Sequence, residues 1–527
     1  MANVDGAKHI LTVKDARSDP YLKLTDQLRV RLQENKAARS KDKHPITTPS
    51  FADIKQTHLL YLHSSYKPFV DVASQYTRSD SGMNTITSRS QTHVFKLPPN
   101  GDFISDCALM VKIKAFGEQN PVVNTTNKFR FCAYPGIRLL KNVEFKSDGV
   151  LIDDYTRDDI ALANSFEIRS DARVNWQKQM GQQHLKYGEF NNDNQYTGCV
   201  AYKDGLQTQK FYHAETTMFI PLQFWFCKDA SRALKVDQNR SSQREIIIEF
   251  ASLGELVQEF DQLGVPQYIS AGGSITSSDI GDLQPLSLPS LDVTVSLYVN
   301  NLVVNPEIRA IFASRITAEL VRVHRRQVVT ISSDIGSIQL TGIKYPLEYF
   351  YAGMRDAANK QNFDHWHLFG RAATRTDSTN IVVPSLIWNP TLNVNELVAR
   401  VVTEGPDSSL EPIVDTIGIT VSAGVVLYPV LPTSFYNSHI PGKYSYGSKI
   451  SPIASSVDTS TMLVSFCLYP GSHDPSGFFH TSTSRELCIN YTASTVSASV
   501  PAELIVSAST LNFIIYSGDK IGLRFST

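Results

Sequence analysis

Apolar residues in this chain recur at every second position in segment after segment, and that period leaves few folds open. In Ala108–Phe116, Leu109, Val111, Ile113 and Ala115 alternate with Lys112 and Lys114. Leu291–Val299 sets Val293, Val295, Leu297 and Val299 against Asp292, Thr294, Ser296 and Tyr298. Ile246, Ile248 and Phe250 follow the same rule, as do Met462, Val464, Phe466 and Leu468. Successive side chains of a strand point to opposite faces, so the pattern predicts antiparallel strands with one face buried, as in a sandwich. Helical signals are short. Asn305-Pro306-Glu307 offers an N-cap, an N1 proline and a first-turn acid ahead of Ile308, Ile311 and Phe312. A second short helix is expected over Arg157–Phe166, and a modest amphipathic one over Tyr21–Ala38, where Leu24, Leu28 and Leu32 recur. The run Leu222–Phe226 reads as a strand with alternate aromatics buried around Trp225.

The best internal boundary is Gly264–Pro289, which lacks Lys and Arg, carries Gly272-Gly273 and several serines, and leaves through Leu288-Pro289-Ser290. It divides two β-rich blocks, each long enough to bury its own core. The expected long loops are Asp171–Lys210, polar and rich in Gln and Asn, and Asp356–Asp415, whose periodicity is poor. Residues 1–60 stand apart with eleven Lys/Arg against seven acids.

Charge excludes some classes. The whole chain of 527 residues balances 50 Lys+Arg against 51 Asp+Glu, so wholesale coating of nucleic acid through counterion release is not expected. From Thr376 to Asp519 the only cations are Arg400, Lys443, Lys449 and Arg485, which argues against nucleic-acid binding by that half. The start of the chain shows no signal-peptide run. The longest stretch without charged residues, Thr416–Gly442, contains three prolines that suit no membrane helix. The six cysteines form no C-x-x-C pair and are expected to be reduced and buried. With no secretory route, the sequons at Asn124, Asn239 and Asn490 read as chance matches.

Catalytic motifs are weak. The chain has no P-loop, no G-x-G-x-x-G and no G-x-S-x-G. Ser472-His473-Asp474 puts triad-like residues side by side, but neighbours in sequence point different ways, and a turn before Pro475 explains them better. Asp153, Asp154, Asp158 and Asp159 lack the EF-hand glycine and terminal Glu, so a solvated turn and helix N-terminus are expected there. His365-Trp366-His367 is the one metal-like pattern, since residues i and i+2 share a strand face. Such an H-x-H looks like the cupin motif of jelly-roll enzymes, yet Gly370 and Arg371 stand where that motif wants Glu. The expectation is two histidines packed beside Trp366, with no catalytic, cofactor-binding or metal site.

Several long strings, in order, resemble the major capsid proteins of nucleocytoplasmic large DNA viruses, most of all the African swine fever virus type. They are THLLYLHSSYKPFVDVASQY (Thr57–Tyr76), YPGIRLLKNVEFKSDGVLIDDY (Tyr134–Tyr155) and IPLQFWFCKDASRAL (Ile220–Leu234) in the first half. The second half adds NNLVVNPEIRAIF (Asn300–Phe312), LVRVHRRQV (Leu320–Val328), YPLEYFYAG (Tyr345–Gly353), DHWHLFG (Asp364–Gly370), PTSFYNSHIP (Pro432–Pro441) and DPSGFFHTSTSREL (Asp474–Leu487). The C-terminal string ELIVSASTLNFIIYSGDKIGLRFST completes the set. Asp154–Phe219 is short beside the first-domain insertion of the swine fever type, so that relative's tower shape and antigenic surface are not carried over.

The resemblance implies an all-β chain of two consecutive eight-stranded antiparallel jelly rolls, a double jelly roll with short helices and long loops. The expected division is an N-terminal arm at 1–56, a first jelly roll at 57–263, a linker at 264–290 and a second jelly roll at 291–527. It further implies a structural protein rather than an enzyme, without cofactor, forming homotrimeric pseudo-hexagonal capsomers that tile an icosahedral shell. The implied partners are neighbouring capsomers, minor capsid proteins and, through the N-terminal arm, the inner viral membrane. The implied location is the outer capsid of the virion, after synthesis in the host cytoplasm at viral factories. A cupin-like metalloenzyme and a carbohydrate-binding lectin are the rival readings of the same architecture.

Overall fold

The computed structural model describes residues 72–82, 85–86, 90–121, 127–169, 172–182, 210–236, 242–260, 266–267, 291–306, 318–363, 365–374, 380–389, 394–403, 408–421, 424–445, 453, 460–472, 474–481, 486–517 and 520–525. The N-terminal arm with its expected helix at Tyr21–Ala38, the string at 57–71 and the helix expected after Pro306 lie outside these residues.

Two sets of eight strands make up the body. The first comprises β1 (Val72–Ser79), β2 (Gln91–Lys96), β3 (Phe103–Ile113), β4 (Leu140–Ser147), β5 (Val150–Thr156), β6 (Thr216–Pro221), β7 (Arg244–Phe250) and β8 (Val293–Val304). These form one sheet in the order β1-β8-β3-β6 and a second in the order β2-β7-β4-β5, every pairing antiparallel. The second set repeats the scheme with β9 (Ala318–Ile331), β10 (Ile335–Gln339), β11 (Pro346–Asp356), β12 (Thr416–Val421), β13 (Val425–Pro432), β14 (Thr461–Ser465), β15 (Leu487–Thr492) and β16 (Ala502–Ser517). Its sheets run β9-β16-β11-β14 and β10-β15-β12-β13. The strand order is the same in both sets, 1-8-3-6 facing 2-7-4-5, which is the double-sheet winding of a jelly roll. The chain is a double jelly roll.

Register explains why the alternation was so regular. Val293, Val295, Leu297 and Val299 of β8 lie opposite Ile113, Val111, Leu109 and Cys107 of β3. All eight side chains are buried in the first core. One sheet face is therefore apolar and dry, and the cross-strand pairs hold the register, because a slip by one residue would turn every one of them to the other face.

Several elements differ from expectation, among them the expected loop Asp171–Lys210, which begins with a helix at Arg173–Gln179. Strand β8, placed with the second block in the sequence reading, hydrogen-bonds to β1 and β3 of the first. The Gly/Ser-rich stretch before it thus precedes the last strand of the first set, since a polar loop within a roll carries the same composition as a linker between rolls. The run at Trp225 is a helical turn, Trp225–Lys228, and Phe224, Trp225 and Phe226 are all buried rather than alternately so. Phe145 meets all three rings at centroid distances of 5.5–5.7 Å. Asp356–Asp415 is not simply loop: Arg371–Thr374 pairs with Ser408–Glu411, and Asn380–Asn389 with Val394–Thr403. Pro384 and unbroken apolar runs hide that hairpin from a period-two reading.

Candidate functional site

The fold brings charged and aromatic side chains of both rolls together at the seam where the two rolls meet. Strand β5 ends at Thr156 and turns directly into helix α1 (Arg157–Glu167). The Thr156 side chain and Asp159 form a reciprocal capping box, with Asp159 Oδ2 accepting from Thr156 N at 2.9 Å and from Thr156 Oγ1 at 2.8 Å. This cap fixes where α1 points, and α1 carries Leu162 and Phe166 into the second roll's core, where both are fully buried. Phe166 stacks on Tyr351 of β11 with centroids 5.0 Å apart. Gly353 permits the approach: a Cβ there would lie 2.5 Å from Phe369 and 2.9 Å from Leu162.

The exchange is reciprocal. After β11 the second roll sends Ala357–Gly370 back against the first, and Trp366 belongs to the first core. Its indole Nε1 donates to the Ala133 carbonyl at 2.7 Å. Arg138 of the first roll donates to the Asn362 carbonyl at 2.8 Å and lies over the Phe363 ring at 4.9 Å.

Charge completes the seam. Asp153, buried on β5, accepts from the His324 backbone N–H at 2.7 Å and faces His324 Nδ1 at 3.0 Å. Burial alone would push the His324 pKa down, but the Asp153 carboxylate and their hydrogen bond outweigh it and hold the pKa above the ordinary histidine value. Arg355, on β11 and 1% exposed, makes a fork to Asp158 at 2.9 and 3.3 Å, reaches Glu503 at 3.0 Å and donates to the Trp366 carbonyl at 2.9 Å. Lys360 meets the other Glu503 oxygen at 2.8 Å. Burial tends to raise the Asp158 pKa, and Arg355 overrides it to leave the carboxyl below its usual range. Glu503 is lowered in the same way, burial being outweighed by Lys360 and Arg355. Arg326 lies 3.4 Å from Asp159. Asp154 moves up instead, through burial and the neighbouring Asp153 charge.

These contacts revise one expectation. Asp158 and Asp159 do occupy the first turn of α1, but the four carboxylates are not a solvated cluster. Asp153, Asp158 and Asp159 are the anionic half of the seam, and their cations sit 167–197 residues away in sequence. His365-Trp366-His367 lies in a turn rather than a strand, and Trp366 is buried between the two histidines. His367 packs edge-on to Tyr134 with centroids 4.8 Å apart. Among the described residues no group of three or more His, Cys, Asp and Glu gathers as a metal site. Ser472 Oγ donates to the Asp474 backbone carbonyl at 2.7 Å, a local turn contact; His473 lies outside the described residues. Cys107, Cys132 and Cys467 are buried, and Cys227 and Cys488 are partly buried. The Asn490 amide donates to Thr420 Oγ1 across β15 and β12. Asn124 and Asn239 lie outside the described residues.

Comparison with known proteins agrees with this architecture. Residues 72–302 match the family described as major capsid protein N-terminus. That match begins with β1 and stops two residues before the end of β8. The major capsid protein of African swine fever virus (isolate Warthog/Namibia/Wart80/1980) is 25% identical over 663 aligned positions, covering 99% of this chain and 100% of the relative. The hexon protein p72 of the Badajoz 1971 Vero-adapted strain is also 25% identical, with the same coverage. Both alignments exceed the 527 residues of this chain, so these relatives carry segments with no counterpart here. Among solved structures, the Faustovirus major capsid protein superposes with a TM-score of 0.68 at 22% identity, covering 94% of this chain and 98% of that one. The PBCV-1 capsid protein superposes with a TM-score of 0.57 at 16% identity, covering 88% and 99%. A doubled jelly-roll topology, a family match to the first roll and full-length similarity converge: the chain has the double jelly-roll fold, its residues 72–302 match the major capsid protein N-terminus family, and over its whole length it is similar to major capsid proteins of large DNA viruses, which are structural proteins rather than enzymes.

Proposed function

We propose that this chain assembles as a homotrimer whose six jelly rolls form a pseudo-hexagonal capsomer, and that such capsomers tile the icosahedral outer shell of a large double-stranded DNA virus. The observation that carries the reading is the repetition of one strand order in two rolls joined by a buried seam. Three chains then offer six similar units, and a closed three-fold ring satisfies every subunit surface. Exposed apolar side chains support a further contact: Val425, Val426 and Val430 on β13 and Leu468 after β14 are 56–70% exposed. A formal net charge of −1 keeps repulsion between copies small.

The proposal includes the division of the chain. The first roll closes with β8, and the connection to the second falls in 305–317, not in 264–290. The arm at 1–56 serves the inner side of the shell, toward minor capsid proteins and the viral membrane, where each Lys or Arg near an anionic leaflet gains about 1 kcal/mol. Neighbouring capsomers are the lateral partners, and direct nucleic-acid binding is not expected. Synthesis takes place in the host cytoplasm, at viral factories. Light scattering of the purified protein at micromolar concentration tests the trimer: the expected mass is three times 58.6 kDa. A correctly folded protein that stays monomeric would overturn it. Deleting residues 2–50 should leave the trimer intact and impair shell assembly, and normal particles from that deletion would remove the arm's role.

A further inference from the structure

A cavity of about 410 Å³ opens beside the seam, with walls from both rolls. Helix α1 presents Ile160 and Asn164 to it at helical spacing, Ile168 follows at the helix C-cap, and Tyr349 and Tyr351 of β11 stand on the other roll's side. Trp176 and Trp225 add further aromatic surface. The size falls within the roughly 300–1,000 Å³ of small-molecule sites, which also combine apolar walls with a few placed polar groups.

The polar groups here are mostly donors. Trp176 Nε1 and Asn164 Nδ2 are buried with no acceptor among the described groups. Arg232 also lines the cavity and makes no ion pair with a described carboxylate. Its neighbour Arg322 is already engaged by Glu348, with Arg322 Nη2 at 3.0 Å from the carboxylate. Burial and the Arg322 charge lower the Arg232 pKa, and Glu348, Asp229 and Asp474 offset only part of that. Three acids line the cavity, Asp159, Glu167 and Asp229, and the Asp229 charge acts on Arg232 without forming an ion pair with it among the described contacts. Glu167 takes Lys228 at 3.2 Å and the Tyr351 hydroxyl at 3.1 Å. Asp159 Oδ2 is held by Thr156, while its Oδ1 is buried with no donor among the described groups. An aromatic cavity with surplus donors and one uncommitted guanidinium complements an acceptor-rich head on an apolar body.

We propose that this cavity binds a small amphipathic carboxylate, an aryl or medium-chain alkyl acid whose head is held by Arg232 and whose body lies against Trp176, Trp225 and Tyr349. Because both rolls wall the cavity, a bound acid stabilises the native seam by mass action. The test uses the purified full-length protein with indole-3-acetate and decanoate as probes and the matching alcohols, indole-3-ethanol and decanol, as uncharged counterparts. Titration calorimetry should show one saturable site per chain for at least one acid, with a thermal midpoint that rises with its concentration. The acid that binds identifies the body. Arg232→Gln should weaken that acid at least tenfold while folding normally, since it removes a like charge beside Arg322. Asn164→Leu, which keeps Arg232 but fills space and deletes a donor, should weaken it as well and serves if Arg232→Gln does not fold. Failure of both acids to bind at millimolar concentration would overturn the proposal. So would alcohols that bind as well as the acids, or unchanged affinity in both variants.

Discussion

Replacing Arg355 by alanine should be the most damaging single change at the seam. Its guanidinium is buried and joins three partners from three parts of the fold: Asp158 at the start of α1, Glu503 on β16 and the Trp366 carbonyl. Removing it leaves two carboxylates whose side chains are only 21% and 11% exposed, one with Lys360 as its remaining cation and the other with none of comparable geometry. Breaking a buried pair by deleting one partner costs about 3–5 kcal/mol, most of it from the charge left behind. Unfolding entropy of about 2.1 cal/mol/K per residue, summed over Val72–Thr527, comes to about 1 kcal/mol/K, so the midpoint should fall by about 3–5 °C. Differential scanning calorimetry reads this directly. Swapping the whole group for apolar or neutral residues, Arg355→Met with Asp158→Asn and Glu503→Gln, should recover most of the loss, because desolvation of the charges disappears with their attraction. An Arg355→Ala midpoint within about 1 °C of the parent, or a triple variant no better than the single one, would refute the reasoning.

Four further outcomes follow from the same contacts. Acid should weaken the seam: Asp158 and Glu503 titrate below their ordinary values in the folded chain, so their contribution is present above about pH 4 and is lost as pH falls through those lowered values, readable as a melting curve series. His324 works in the other direction, its raised pKa giving stability that is complete below about pH 6.5 and lost as pH rises through the folded value; His324→Gln should flatten that limb. Gly353→Ala should cost about 1–3 kcal/mol in urea denaturation by forcing Phe369 and Leu162 apart, and a neutral result would mean that α1 sits farther out. Trp225→Ala should cost about 3–5 kcal/mol, since the ring is 4% exposed against Phe145 and Phe226.

Much of the fold could be read in the sequence because one face of each sheet is dry. Alternation located β3, β7 and β8, and the helix expected over Arg157–Phe166 ends one residue short of α1. Strand β14 instead stops at Ser465 with all five residues buried, and Leu468, expected on the dry face, is 70% exposed. Partnership was not legible. The period of β8 reports that one face is buried but not against which strands, and so its side of the boundary was misjudged. The seam was missed for a related reason: isolated acids read as solvated, and nothing local says that a cation will arrive from 167–197 residues away. A signal was present in Leu320–Val328, where Arg322, His324 and Arg326 fall on one strand face and Val321, Val323 and Arg325 on the other. Three cationic or titratable side chains on one face of a strand that also buries valines call for anionic partners. Glu348, Asp153 and Asp159 supply them.

The central claim is that two equivalent rolls per chain build a six-roll capsomer, and electron microscopy of the purified oligomer tests it most directly. Averaged end-on views should show a pseudo-hexagonal ring of six densities with three-fold symmetry, each pair of densities belonging to one chain. Particles with two densities, or rings whose symmetry is not three-fold, would contradict it.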